Sequence, residues 1–503
     1  MNFLSPLRGS PNPTNHNPRL TKPRLGLNSD RCSAAVLLLV FDSLIWDTGL
    51  AAEVHRLSNR PCIALRIVYL THQYFPRHVG GTEVFTHGLA VRARQAGHHV
   101  RVITHYESPS VNPIDYRAVT TEHDGIPLTE IHHNLSRADN PARAEYDNPQ
   151  VVEMLRPVLA DAKPDLVHAV HGMKLSGAAL ELCYDEGLPV ILTLTDYWFV
   201  CPRHTLLRWN HELCQGPAHD LDCLRCEHET HGFAAGRMQK LPAPILRIMS
   251  DRGSSSRFWR DVDAIRKRQS YLRQVVERAD AVIALSDFQK ALYVRNGFDE
   301  EKIRVVQHGL EIEGLKPATR LPPEPLELVF IGSLVYHKGV HVVLRALALR
   351  PEAKVRMLIY GDAGGSNQYL DSLKDLARAD DRVTLMGTFD VKQMGHVLST
   401  ANALVMPALW YENEPLVVKA AQYIGLPILA SNIGTLATSV QAGINGRLVP
   451  PGDVSAWAEA IASLHPTPVE PNHTIKTMEE NAREMLALYE EIYSSRRCNA
   501  PNT

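Results

Sequence analysis

Tyr411-Glu412-Asn413-Glu414-Pro415-Leu416-Val417-Val418-Lys419-Ala420, continuing from Ala421 to Pro427, is the stretch that decides how this chain is read. The apolar run Ala403-Leu404-Val405-Met406 precedes it and reads as a buried strand. Pro415 suits the first turn of a helix, where its missing N–H costs nothing, and Asn413 is placed to cap that helix. Gly425 closes the helix, and Pro427 leads into a further apolar run, Ile428-Leu429-Ala430. A helix that opens at the carboxyl end of a parallel strand offers free backbone N–H groups to a phosphate. Glu412, just ahead of the helix, can accept hydrogen bonds from sugar hydroxyls. Strand, acid and helix together predict a nucleotide-sugar site.

Working outward, the neighbouring sequence repeats the same grammar. Before the stretch lie the strand-like runs Leu328-Val329-Phe330-Ile331, Arg356-Met357-Leu358-Ile359 and Val383-Thr384-Leu385-Met386. Helical stretches separate them, among them 340–349 and 367–379. This series predicts a Rossmann-like domain over 326–465. A last helix within 470–494 places Met478, Ala482, Met485, Tyr489 and Ile492 on one face, so it packs. Upstream, Pro322 and Pro323 belong to a proline-rich linker, Leu321 to Pro325.

An earlier series fills 65–315. Ile67-Val68-Tyr69-Leu70 is a strand, followed by a loop carrying Gly80-Gly81 and a helix expected to be capped by Thr82. Phe85, Leu89 and Ala93 recur on that helix at helical spacing. Further strands are predicted at 100–103, 166–170, 190–194, 281–284 and 303–306, apolar without alternation, as parallel strands buried on both faces are. The fold class is therefore α/β, with two Rossmann-like domains facing each other across a cleft, where open parallel sheets bind ligands.

With 503 residues, 45% hydrophobic and 21% charged content and a net charge of -2, nothing favours a nucleic-acid partner. Eight cysteines are few for this length, which argues against a secreted disulfide framework. Residues 1–64 differ from the rest. Ser5 to Pro23 is rich in Pro, Asn and Arg, and the apolar run Ala34 to Phe41 is too short to span a bilayer. A signal peptide is one reading of this segment; the favoured one is a disordered or dispensable leader, or a start codon assigned too far upstream.

Five motifs, in order, carry a family resemblance. They are Pro76-Arg77-His78-Val79-Gly80-Gly81-Thr82-Glu83, Ala281 to Ser286, Gly332-Ser333-Leu334-Val335-Tyr336-His337-Lys338-Gly339, Trp410 to Asn413 with Pro415-Leu416-Val417, and Asn445 to Asp453. From about Arg66 to Tyr493 the chain resembles the family 4 retaining glycosyltransferases of the GT-B fold, in the branch with a cysteine-bearing insertion in the N-terminal domain. The resemblance implies a nucleotide-diphosphate sugar held mainly by the C-terminal domain and a glycan or lipid-linked acceptor held mainly by the N-terminal one. It implies retention of configuration and no cofactor for catalysis, the leaving diphosphate being neutralised by a helix N-terminus and a basic side chain. Lys338 matches the family's phosphate-binding lysine and Glu412 the first acid of its Glu-x7-Glu motif. Gly80, Gly81, Ser333, Thr388, Asn413, Glu414, Pro415, Leu416 and Val417 fall at donor-contacting positions.

Three departures stand against that pattern. Ala420 occupies the place of the second motif acid, which normally holds the ribose. Thr195-Asp196 replaces a frequent His-Asp, and Ser333 a frequent arginine. Loss of a charge-assisted hydrogen bond to a ligand costs about 1.5–3 kcal/mol, or roughly ten- to a hundredfold in affinity. A non-catalytic GT-B scaffold or partner subunit with impaired donor binding is therefore the second reading.

Cys201, Cys214, Cys223 and Cys226 lie within an insertion expected over 197–260. Four thiolates with one C-x2-C pair suit a structural zinc that stiffens a loop over the acceptor side. Free or redox-active thiols and an iron–sulfur cluster are the alternatives. Beyond them, basic 237–278, with Leu272, Val275 and Val276 interleaved, suits a helix lying on an anionic membrane or a solvated helix face. A cytoplasmic enzyme, peripheral at the inner face of the membrane if its acceptor is lipid-linked, is the expected setting. His168 is expected to be a packed histidine.

Overall fold

The computed structural model describes residues 64–107, 116–135, 138–217, 223, 226–227, 257–317, 325–364, 368–465 and 469–499. The chain divides into two units, Met1–Pro61 and Cys62–Thr503. The expected leader falls outside the described residues, as does most of the linker at 321–324. The second unit carries the fold.

Among the described residues, fourteen strands form two sheets. β1 (Arg66–Thr71), β2 (His99–Glu107), β3 (Arg117–His123), β4 (Ile126–His133), β5 (Leu166–Ala169), β6 (Val190–Leu194), β7 (Ala281–Ala284) and β8 (Ile303–Val305) make the first, in the order β3-β4-β2-β1-β5-β6-β7-β8. β9 (Leu326–Ile331), β10 (Val355–Tyr360), β11 (Val383–Gly387), β12 (Ala403–Met406), β13 (Ile428–Ser431) and β14 (Gly446–Val449) make the second, in the order β11-β10-β9-β12-β13-β14. Every pairing of these strands is parallel except the β3–β4 hairpin. The central strands are buried on both faces: β5, β6, β7 and β12 have no exposed residue. This is why their sequences run apolar without alternation.

In each sheet the strand order reverses once near the middle, between β1 and β5 and between β9 and β12. Ligands in open α/β sheets bind at such switch points, outside the carboxyl ends of the strands. The loops that matter here are those after β1, β5, β9 and β12.

Five helices bear on the site: α1 (Gly81–Gln95), α2 (Arg257–Glu277), α3 (Val340–Ala348), α4 (Leu416–Ile424) and α5 (Met478–Asn499). Met478, Ala482, Met485, Tyr489 and Ile492 of α5 are all buried, as their spacing predicts. Met478 packs where α1 has Gly88, and Tyr489 bonds His168 of β5 at 2.6 Å. This helix thus covers the first sheet. His168 is fully buried and satisfied, its second ring nitrogen meeting the Thr193 hydroxyl at 2.7 Å.

Four expectations need correction. The β3–β4 hairpin and β14 are strands that the sequence pattern does not announce. Thr82 does not cap α1, which begins one residue earlier with Gly80 at the N-cap. Asn413 does not cap α4; Pro415 is the N-cap residue, and no side chain caps this helix. The apolar residues of α2 are not free to meet a membrane: Leu272, Val275 and Val276 are buried in the core of the first sheet, and Arg268 lies among them, paired with Glu145 at 2.9 Å. Among the described residues no helix is long and apolar enough to cross a membrane.

Candidate functional site

The loop after β9 turns through Tyr336–Lys338 and ends on Gly339, at φ 75°. A side chain at Gly339 would strike the Pro407 carbonyl, so only glycine lets this turn close against the end of β12. The Leu409 N–H then donates to the His337 carbonyl at 2.8 Å, joining the two loops. That junction delivers Lys338 to Glu412: Nζ donates to Oε1 at 2.7 Å. Trp410 Nε1 donates to the same oxygen at 2.7 Å, and its ring lies 5.0 Å below the Lys338 ammonium. Glu412 is 4% exposed, while the Lys338 side chain keeps 20% of its surface. A buried acid is thus bonded by a cation that still reaches solvent.

Immediately beyond stands the N-terminus of α4. The N–H groups of Leu416 and Val417 have no partner within the helix, and no side chain caps them. Asn413 has been drawn elsewhere, its amide donating to the Thr195 carbonyl at 2.5 Å after β6. Tyr411 leans on Phe288 and Tyr197, so the loops of the two sheets meet here. An uncapped helix end beside a lysine is an anion site by its electrostatics.

Glu414, although two residues from Glu412, is engaged differently. Its carboxylate pairs with Lys419 at 2.5 Å and accepts the His308 N–H at 2.5 Å, while Lys419 donates to the His308 carbonyl at 2.5 Å. Burial pushes the Glu414 carboxyl up and the Lys419 ammonium down, and their mutual attraction opposes both shifts. Ser333 and Thr388 are exposed, and Ala420 is 1% exposed, packed with Val417, Val418 and Ala421.

On the opposite side, the ends of β1, β5 and β6 bring together residues that lie scattered in the sequence. His171 Nδ1 accepts the Met173 N–H at 3.0 Å, which leaves Nε2 to donate its proton to Asp196 at 2.7 Å. Burial would raise the Asp196 carboxyl, but His171, together with His204 and the Trp198 N–H, holds the group below its ordinary value. The His72 ring lies 4.3 Å from that of His171, and its Nδ1 is buried without a partner. Burial, reinforced by His171, keeps His72 neutral. Glu83 sits 3.7 Å from His72 and crowds the space a side chain at Gly80 would need. An acid of the chain itself therefore stands at the Gly80-Gly81 turn. His72 has no local signal strong enough to flag it, and Glu83 is visible only as the last residue of the Pro76-to-Glu83 motif; the loop between β1 and α1 makes them neighbours.

The cysteine segment reaches over this junction. His211 stacks on Tyr336, ring centres 3.8 Å apart, next to Lys338. Cys201, Cys214, Cys223 and Cys226 form no disulfide and line one cavity together with Arg203 and Arg208. Their donor chemistry suits zinc, but no three of these sulfurs lie within 4.8 Å of one another, and a closed tetrahedral site needs them about 3.8 Å apart. Burial raises the Cys201 thiol to about 12 and lifts Cys223 and Cys226.

Comparisons with known proteins agree with this architecture. The family described as Glycosyltransferase Family 4 matches residues 79–313, and that described as Glycosyl transferases group 1 matches 311–485. The D-inositol 3-phosphate glycosyltransferase of Corynebacterium urealyticum is 30% identical over 347 residues, 63% of this chain and 75% of that protein. Among solved structures, sucrose-phosphate synthase from Thermosynechococcus elongatus superposes with a TM-score of 0.53 at 18% identity, over 85% of this chain and 96% of that one. Anabaena HepE in complex with UDP and glucose gives 0.51 at 16%, over 86% and 98%. At these identities the two structures bear on the fold.

Proposed function

The chain belongs to glycosyltransferase family 4 and has its GT-B fold, and from that membership we propose a sugar transfer from a nucleotide-diphosphate donor to a glycan or lipid-linked acceptor, with retention of configuration. The observation that carries this reading is the uncapped N-terminus of α4 beside the Lys338–Glu412 pair. The donor diphosphate settles on the N–H groups of Leu416 and Val417, and Lys338 turns from Glu412 toward the phosphate. Its charge and the helix dipole stabilise the negative oxygen as the sugar leaves. Glu412, released from the lysine, accepts from the sugar hydroxyls. The departing phosphate oxygen takes the acceptor's proton, so no protein nucleophile and no catalytic metal is needed, and positioning supplies the rest. His72, Glu83, His171 and Asp196 form the acceptor side.

The four-cysteine cavity is proposed to take a structural zinc. The loop would draw the sulfurs together and fix His211 on Tyr336. Metal analysis of the purified chain tests this: less than one zinc per chain, or zinc kept after Cys223→Ser, overturns it. A non-catalytic scaffold is the second reading, favoured by Ala420 in place of the ribose-binding acid. Incubation with UDP-, GDP- and ADP-sugars and an acceptor panel including inositol phosphate and lipid-linked glycans decides between them. Transfer should give a product with the donor's anomeric configuration. Inversion would overturn the retaining mechanism. Absence of transfer and hydrolysis, with no nucleotide raising the melting temperature, would leave the scaffold reading.

A further inference from the structure

The geometry points to a divalent-metal site built from His87, His123 and Asp124, none of which takes part in the proposed transfer. His87 projects from the second turn of α1, and His123 ends β3. The hairpin then turns through Asp124 and Gly125, both at positive φ (50° and 72°), the two-residue turn that joins antiparallel strands tightly. This turn brings the Asp124 carboxylate back toward the helix. One oxygen, Oδ2, lies 3.3 Å from His87 Nε2 and 3.9 Å from His123 Nε2. Across the trio, one ligand atom from each residue lies within 4.8 Å of the other two.

An ion of the zinc class bonds nitrogen and carboxylate oxygen at about 2.0–2.2 Å, which places its ligands roughly 3–3.5 Å apart. Small side-chain rotations close the set. A hydrogen bond between His87 and Asp124 would account for two of the three residues. It leaves the second imidazole, directed at the same oxygen, unexplained.

The surroundings are those of a ligand set. The Tyr74 hydroxyl lies 2.9 Å from His87 Nδ1. With a metal on Nε2, Nδ1 keeps the proton and donates it to Tyr74, the outer contact that orients most metal-binding imidazoles. Phe75 stacks on His123, ring centres 5.6 Å apart and 7° from parallel. Arg94 donates to the Asp124 carbonyl at 3.2 Å and steadies the turn. The Asp124 carboxylate is exposed, at 64%, so an ion can enter from solvent.

Two imidazoles and one carboxylate suit Zn²⁺, Ni²⁺ or Co²⁺, with the remaining positions open to water. The bound ion ties the β3–β4 turn to α1. Through Tyr74 and Phe75 it also stiffens the loop that leads to Gly80-Gly81. The role is a clamp on the edge of the first sheet.

Calorimetric titration of the full chain with Ni²⁺, after removal of metal by chelation, tests the site. Asp124→Asn should weaken one binding event at least tenfold without disturbing the fold, because asparagine accepts the left-handed backbone and the side chain is exposed. His123→Ala should do the same, and Tyr74→Phe should cost about tenfold through the lost outer contact. Cys223→Ser should leave that event unchanged, separating it from the cysteine cavity. The proposal fails if the Asp124→Asn and His123→Ala titrations superimpose on the wild type, or if the event vanishes with Cys223→Ser.

Discussion

Glu412 and Glu414 stand two residues apart in one segment, and each is bonded to a lysine, yet the two pairs do different jobs. The Lys338–Glu412 pair joins two loops at the carboxyl ends of β9 and β12, keeps its lysine 20% exposed and borders an uncapped helix. The Glu414–Lys419 pair is closed on both sides, at 7% and 9% exposure, and ties the segment to the backbone at His308. An ion pair whose cation remains reachable beside an uncapped helix end can exchange its partner for a ligand. One whose members are both buried and bonded to a neighbouring backbone can only hold the chain together. Proximity in sequence says nothing about which is which.

The largest effect falls on the closed pair. Glu414→Ala leaves Lys419 buried without its partner and removes the acceptor of the His308 N–H, so stability should fall by about 3–5 kcal/mol. Urea denaturation measures the loss, and turnover by the folded fraction should stay within a few-fold of wild type. A hundredfold fall in kcat with unchanged stability would show Glu414 to be the ligand-facing acid. Glu412→Ala should give the reverse pattern. Removing one stabilising group of this kind costs about 10²–10³ in kcat. The melting temperature should change far less than in Glu414→Ala, because Lys338 remains partly solvated. If Glu412→Ala keeps wild-type turnover, the contrast collapses.

Legibility in the sequence depends on where each residue sits in the chain. The strands at 67–70, 190–194, 281–284 and 403–406 announce themselves because burial on both faces leaves an unbroken apolar run. β3 is largely exposed at the sheet edge and reads as polar, although Asp124-Gly125 carries the turn signal. Lys338 and Glu412 are legible as parts of local motifs. Their direct bond is not, since it depends on the Gly339 turn packing against Pro407. The group formed by His72, Glu83, His171 and Asp196 is hidden for a plainer reason: its members come from three strand ends and the first turn of α1, and the sheet order brings them together. The capping role expected of Asn413 fails because Thr195, distant in sequence, offers its amide a carbonyl.

Ala420 sharpens the comparison from the ligand's side. It is buried on α4, one residue beyond Lys419. Ala420→Glu restores the acid that the family pattern places against the ribose. Nucleotide affinity should rise roughly ten- to a hundredfold, equivalent to about 1.5–3 kcal/mol. The ligand-free protein should lose stability, since the new carboxylate is desolvated until the nucleotide arrives. Unchanged affinity by calorimetry, in a variant that still folds, would show that the ribose is held elsewhere.

The most gradual effect isolates the closed side by pH. His308 lies against Phe85 at 4.1 Å, with Glu414 Oε2 4.0 Å from its Nδ1 and Lys419 close by; neither ring nitrogen has a partner. Burial, reinforced by the Lys419 charge, lowers its pKa to about 3, against about 6.5 in the unfolded chain. Between those values the unfolded state binds a proton that the native state refuses. Stability therefore falls as pH drops from about 6.5 toward 3, by at most about 1.4 kcal/mol per pH unit for this one group. His105 and His168, lowered by burial to about 2 and about 3, add slopes of the same sign. His308→Leu removes only its own share, so the stability difference between variant and wild type should widen in the variant's favour as the solution is acidified. Stability curves for the two proteins that run parallel from pH 7 to 4 would mean that His308 is not held neutral beside the Glu414–Lys419 pair.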